Sequence, residues 1–279
     1  MELINGVFEL SEKFMNGSDY VKLNNNLIQS TADIMLETGI TPFPPESTGD
    51  EPVIICWKEL IASAINYCYW YGKSTVRPNN ASSTVMYDIV NSVFEVENRL
   101  DWKDINYDLS ISRFPLLEER LKHLKEVEDK GAVYLYAVLE SEGKDFYPLF
   151  QDLILLFPGF ASDMFLKRAS LFFMQLYRRL GWFEDAMKVL PVPADYQVPN
   201  MLRHYGCIEY SQYLAKTTYA NQLIPKHSQM ECEIRAATVL AGKKLQDLTG
   251  WNASEIDAWL WLRRKEATLP FHLTTTTDY

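Results

Sequence analysis

The sequence predicts an all-α protein, folded as one helical domain over residues 1–279. Apolar residues recur at the three- and four-residue spacing of a helix through most of the chain. Capping residues stand at the starts and stops of those runs. Strand signals are weak: Val133-Tyr134-Leu135-Tyr136 has the composition of one, but the helical period continues through it.

Taken in order, Leu27, Ile28, Thr31, Ile34 and Met35 form the first stripe, and Trp57, Leu60, Ile61, Ala64 and Cys68 the second. Between them, the Pro, Gly and Ser content of Thr41 to Pro52 predicts a loop. Val85, Met86, Ile89, Val90, Val93 and Phe94 make a third stripe. Leu117, Leu121, Leu124 and Val127 carry a fourth, with charge on the other face. Phe146, Leu149, Phe150, Leu153, Ile154 and Phe157 make a fifth, which Pro158-Gly159 stops. Asp163 to Leu180 is apolar on nearly every side and ends at Gly181, so it reads as the central helix of a bundle. Ser228 to Glu231 reads as a capping box, opening a helix whose inward face is Ile234, Ala237, Thr238, Ala241 and Leu245. Thr249-Gly250 ends it, and Asn252 with Glu255 starts the last helix.

Composition narrows the function. Hydrophobic residues make up 47% and aromatics 13%, enough to bury a substantial core. The formal net charge of −10 repels a phosphate backbone, so a nonspecific DNA or RNA binder is not expected. The four cysteines, Cys56, Cys68, Cys207 and Cys232, show no metal-ligand spacing and read as reduced core thiols. The start of the chain lacks a signal-peptide pattern, and no apolar run approaches the ~18 residues that span a bilayer. A cytoplasmic protein with no membrane partner is expected. No Gly-rich phosphate loop, nucleophile elbow or HExxH is present, so the reading calls for no metal and no cofactor.

The segment Val192 to Pro199 sets one carboxylate, Asp195, between two prolines and beside Tyr196. Proline fixes its own φ and restricts the residue before it, so this loop has few conformations. Asp195 is either the cap of the following helix or an aimed, catalytic carboxylate. Lys167 lies in line with Met164, Leu171 and Met174, where an apolar side chain is expected. Its amine either meets a partner or snorkels to water. Glu231, Glu233 and Arg235 cluster at a helix start, where acids also simply complement the dipole. Asp257 stands among Trp259, Leu260 and Trp261 as a surface or pocket acid. His204 follows the Asp195 loop and reads more readily as structural than catalytic. The run Tyr67 to Tyr71 offers rings against which a purine-like base can stack.

These segments resemble one family in order along nearly the whole chain. Ala64 to Trp70 is similar to its NFSFW-type element, Leu117 to Arg120 to LVEER, and Phe165 to Ala169 to FYKRA. Ala194 to Pro199 resembles ADYRLP, Glu231 to Arg235 resembles EVEIR, and Ile256 to Trp261 with Pro270-Phe271-His272 resembles the closing LDYYLW and PFH. The family is the queuosine salvage proteins, queuosine 5′-phosphate N-glycosylase/hydrolases. The resemblance implies a fold similar to the helix-hairpin-helix DNA glycosylases. It also implies hydrolysis of the N-glycosidic bond of queuosine 5′-monophosphate, freeing queuine for reuse in tRNA modification. It gives Asp195 the essential carboxylate role and Lys167 and Asp257 site roles. Asn66, Tyr69, Trp70, Tyr196, His204, Glu231, Glu233, Arg235 and Trp261 are the remaining expected substrate contacts. A monomer whose partner is a small molecule, not nucleic acid, is expected. The chain departs from the family at Tyr71 to Pro78, in the stretch from there to Phe94, and at Gln197, where an Arg is common. Those departures keep two alternatives open, a glycosidase for another 7-deazapurine nucleotide and a non-catalytic queuine binder.

Overall fold

A computed structural model describes residues 1–41, 49–71, 82–95 and 100–279. Most of the Thr41 to Pro52 loop and of the divergent Tyr71 to Pro78 segment lies outside these residues. The chain forms two compact units. Unit 1 comprises Met1–Pro45 and Glu184–Thr275; unit 2 comprises Glu46–Phe183 and Thr276–Tyr279.

Unit 1 begins with α1 (Glu2–Met15), β1 (Val21–Leu23) and α2 (Asn25–Thr38). Unit 2 follows with α3 (Pro52–Ile65), α4 (Ser83–Glu95), α5 (Trp102–Ile111) and α6 (Leu117–Ser141). It continues through α7 (Phe146–Leu156), α8 (Pro158–Ala161) and α9 (Lys167–Leu180). The chain then returns to unit 1 with α10 (Glu184–Met187), α11 (Val198–His204), β2 (Ile208–Tyr210), α12 (Gln212–Tyr219), α13 (Gln229–Thr249) and α14 (Ala253–Leu262).

The architecture is mostly helical, as the periodicity predicts. Val133 to Tyr136 lies inside α6, so the helical period decides that segment. The strands are three residues each and pair antiparallel, Val21 opposite Tyr210 and Leu23 opposite Ile208. A pair this short leaves almost no alternation to read in the sequence. No described helix is long and apolar enough to cross a membrane.

In unit 1, α13 is the central element, packing on α1, α2, α11 and α14. Its buried face includes Ile234, Ala237, Thr238, Ala241 and Leu245, the inward face read from the sequence. In unit 2, α3 packs on α6 and α9. Eleven residues of α3 are buried, Lys58 and Glu59 among them. Lys58 pairs with Asp50 at 2.7 Å, and Glu59 with Arg179 at 2.6 Å, so each interior charge on α3 has a counter-ion.

Three local details differ from the sequence reading. The helix expected from Asp163 begins at Lys167, because the Asp163 carboxylate takes up the amides of Phe165 (2.9 Å) and Lys167 (2.8 Å). Asp163 thus satisfies the first orphan donor of α9, the Lys167 amide, from outside the helix. Pro158 ends α7 and also opens α8, at a first-turn position where its missing N–H costs nothing. At α13, Ser228 Oγ accepts from the Glu231 amide at 3.4 Å, but the Glu231 carboxylate accepts from the His227 amide at 3.0 Å. The complete capping box is at α14: Asn252 accepts from the Glu255 amide, and Glu255 from the Asn252 amide.

Candidate active site

The Asp195 loop in unit 1 is held from three sides. Asp195 Oδ1 accepts the amides of Gln197 at 2.7 Å and Val198 at 2.8 Å, so it caps α11. Its own amide donates back to the Pro193 carbonyl at 3.0 Å, tightening the turn at Ala194. Only 8% of Asp195 is exposed. From α13, Arg235 Nε donates to the Ala194 carbonyl at 3.0 Å, gripping the residue before the carboxylate. Arg235 is itself fully buried and pairs with Glu231 one turn earlier at 3.5 Å. Behind the loop, Gly242 lets the backbone come close: a Cβ there would sit 2.7 Å from Val192 Cγ2.

The closing segment supports the other side of the loop. Phe271 packs its ring against Tyr196 with centroids 4.9 Å apart. Asn200 Nδ2 donates to the Leu269 carbonyl at 3.0 Å. His272 is buried, and desolvation with the nearby Arg235 cation lowers its pKa to about 3, so it is neutral at ordinary pH. Asp195, Tyr196, Glu231 and Arg235 are therefore one connected assembly, and Phe271, His272 and Gly242 belong to it. A lone Gly in an apolar helical run is the signal that could have marked Gly242.

Glu233 does something else. Its carboxylate accepts the amides of Asp19 (3.2 Å), Tyr20 (2.7 Å) and Val21 (3.0 Å), and Gln229 Nε2 donates to it at 2.8 Å. Four donors converge on one buried carboxylate, which pins the entry to β1 onto α13. His204 is exposed at the far end of α11 from Asp195, edge-on to Tyr205, and the structure does not bring it to the loop. Asp257 is buried on α14. Trp261 is half-buried with the Arg264 guanidinium 3.5 Å from its ring.

In unit 2 the predicted residues meet around the end of α3. Asn66 ends that helix, and its Oδ1 accepts from the Tyr69 hydroxyl at 2.8 Å. Lys167, 5% exposed, reaches the Asn66 carbonyl with Nζ at 3.5 Å. It stands at the first position of α9, where its own amide is already taken up by the buried Asp163 carboxylate. Tyr69 and Trp70 are both nearly fully buried. Among the described residues no group of three or more His, Cys, Asp or Glu could hold a metal ion.

The assembly in unit 1 can orient a carboxylate under a developing positive charge, and the end of α3 with Lys167 can receive polar and anionic groups. The chain is similar to proteins of one known family. The sequence pattern of the family described as queuosine salvage protein matches residues 92–279. The chain is 28% identical over 262 residues to a queuosine 5′-phosphate N-glycosylase/hydrolase of Sphaerobacter thermophilus, covering 79% of this chain and 80% of that protein. It is 40% identical over 129 residues to the protein of the same name from Dictyostelium discoideum, covering 41% of this chain and 40% of that one. The Schizosaccharomyces pombe protein of that name is 29% identical over 178 residues, covering 56% and 51%. The alignment thus spans less than two thirds of the length of the last two relatives.

Proposed function

This chain belongs to the queuosine salvage protein family, and from that premise we propose that it hydrolyses the N-glycosidic bond of queuosine 5′-monophosphate and releases queuine. The observation that carries the reading is the double grip on Asp195, by two amides on Oδ1 and by Arg235 on the preceding carbonyl. As the bond between C1′ and the base nitrogen lengthens, its electron pair leaves with the base and the sugar becomes cationic. A fixed carboxylate beside C1′ stabilises that charge, and a preorganised one does so without reorganising in the transition state. Water adds to C1′ as hydroxide, and the base nitrogen takes up a proton.

Lys167 is proposed to meet the 5′-phosphate from the start of α9, as a point charge suited to that role. Asn66, Tyr69 and Trp70 are proposed to receive the base, and Tyr196 to support the Asp195 loop. Queuine carries a secondary amine, cationic at ordinary pH, and Asp257 is proposed as its partner with Trp261 alongside. Glu231 and Glu233 are already engaged by main-chain amides, and Glu231 by Arg235 as well, so we give them supporting roles. His204 is left with a peripheral one. We keep residues 1–279 as a single glycosylase domain, a cytoplasmic monomer that acts on a small molecule without nucleic acid or cofactor. The mostly helical architecture supports kinship with the helix-hairpin-helix DNA glycosylases.

A second reading, another 7-deazapurine nucleotide as substrate, is favoured by one fact: Asn66 to Trp70 precedes the residues matched by the family pattern. One assay decides. The protein is incubated with queuosine 5′-monophosphate, its nucleoside and other 7-deazaguanine nucleotides, and free base is measured by mass spectrometry. Queuine from the monophosphate is the expected product. Release from a different nucleotide would shift the substrate, and release from none would sink the enzymatic reading.

A further inference from the structure

Two arginines that no role has so far absorbed lie wholly inside unit 2, Arg120 on α6 and Arg168 on α9. A buried guanidinium ordinarily finds a carboxylate. Arg168 feels the Asp163 and Asp278 carboxylates, yet both arginines donate hydrogen bonds to main-chain carbonyls, most of them nearly consecutive at the end of α3. Arg120 donates to the carbonyls of Ile65, Tyr67 and Cys68, the last at 2.7 Å, and through Nε to Pro115 at 2.9 Å. Arg168 donates to the carbonyls of Ala64, at 2.5 Å, and Gly159. Both guanidiniums also lie over the Tyr67 ring, with centroid distances of 4.4 and 5.0 Å.

The chemistry explains the arrangement. The last carbonyls of α3 have no partners within the helix, and the chain beyond Ile65 leaves helical geometry while still buried. A guanidinium offers five N–H groups in one rigid plane, so two of them can satisfy a row of carbonyls in a single geometry. The positive charge also suits the negative end of α3. The segment so held is not relaxed: Cys68 has a φ of +36°, which a non-glycine residue seldom adopts. Its amide donates to the Tyr279 carbonyl at 2.9 Å, and its thiol to the Trp70 carbonyl at 3.6 Å.

We infer that Arg120 and Arg168 are positioning residues for base recognition: they fix the backbone from Ala64 to Cys68 and thereby the places of Asn66, Tyr69 and Trp70. This rests on the proposed assignment of those three residues to the base. The arginines touch no substrate; they act through the segment. Lysine does not reproduce the effect, because its single nitrogen cannot stand in for the three separated nitrogens with which Arg120 reaches four carbonyls.

The test is Arg120→Lys, read in two ways. In steady-state hydrolysis of queuosine 5′-monophosphate, KM rises about tenfold while kcat changes far less, as when binding shared by ground state and transition state is lost. In hydrogen exchange followed by mass spectrometry, the peptide covering residues 66–70 exchanges faster than in the wild type, while peptides of α6 away from Arg120 do not. Both changes together are expected. A KM shift without faster exchange, or faster exchange without a KM shift, would overturn the inference. If wild-type protein releases no base, the functional reading has failed, and binding of free queuine replaces KM as the first readout. Should Arg120→Lys not fold, Arg168→Lys is read in the same two ways, and unchanged exchange over residues 66–70 sinks the idea.

Discussion

At the scale of single residues, capping and catalysis meet in one side chain. Asp195 Oδ1 holds the start of α11, and the same two bonds orient the carboxylate. Asp195→Asn keeps an amide oxygen able to accept both N–H groups but removes the charge. We therefore expect stability to stay within about 0.5 kcal/mol of wild type. Base release should fall about 10³-fold, the scale of losing a preorganised transition-state contact. Asp195→Ala should lose both activity and about 1 kcal/mol of stability, as a lost cap does. Urea denaturation beside the mass-spectrometric assay separates the two, and undiminished release by the Asn variant would remove Asp195 from the chemistry. The histidines make a different prediction. Burial is the main cause holding both His123 and His272 at about 3, against 6.5 for the exposed group. Between those values the unfolded chain binds protons that the folded chain does not, so stability is fully present above pH 6.5 and falls as the pH drops toward 3. At pH 5 the loss is about 2 kcal/mol per histidine. Unfolding free energies at pH 7 and pH 5 should differ less in His272→Gln than in wild type, by about one proton's worth.

At the scale of elements, α13 carries most of what organises unit 1. Gly242→Ala weighs two effects. Helix propensity favours Ala by about 1 kcal/mol. The added methyl group, 2.7 Å from Val192, opposes it by about 1–3 kcal/mol of overpacking. The contact wins, because Val192 belongs to the loop that Arg235 and the two prolines already fix. We expect lower stability and slower base release, measured by thermal denaturation and the same assay. Glu233→Gln should cost about 1.5–3 kcal/mol, because three amides lose a charged acceptor. Its effect on release should be small by comparison, and a large kinetic effect with normal stability would return Glu233 to the substrate. These cases also mark what the sequence could disclose. The Asp195 cap is legible because its donors lie two and three residues away. Glu233 is not, because its donors lie more than 200 residues away. The role of Arg235 is not legible: its cluster with two acids at a helix start is visible, but the carbonyl it holds is set by how the loop packs. Asp163 is also a local cap, with donors two and four residues away, but the apolar run that begins at Met164 hides it inside the predicted helix.

At the scale of the whole molecule, helical class was read directly from periodicity, since long amphipathic runs repeat their signal many times. Two three-residue strands repeat it barely once. The net charge of −10 argues that any kinship with DNA glycosylases does not extend to duplex DNA. A gel-shift titration at low salt should show no retained duplex, and incubation with duplex should leave no abasic sites. Finally, the cysteines are evenly divided: Cys56 and Cys68 lie in unit 2, Cys207 and Cys232 in unit 1, and all four are buried thiols. Burial pushes Cys56 up to about 12 and Cys207 to about 11, far from the thiolate that reacts with alkylating reagents. Buried and held as thiols, Cys56 and Cys207 are expected to react with such reagents only when their surroundings open. Timed alkylation followed by peptide mapping would read the breathing of the two halves separately, with no label added to the chain.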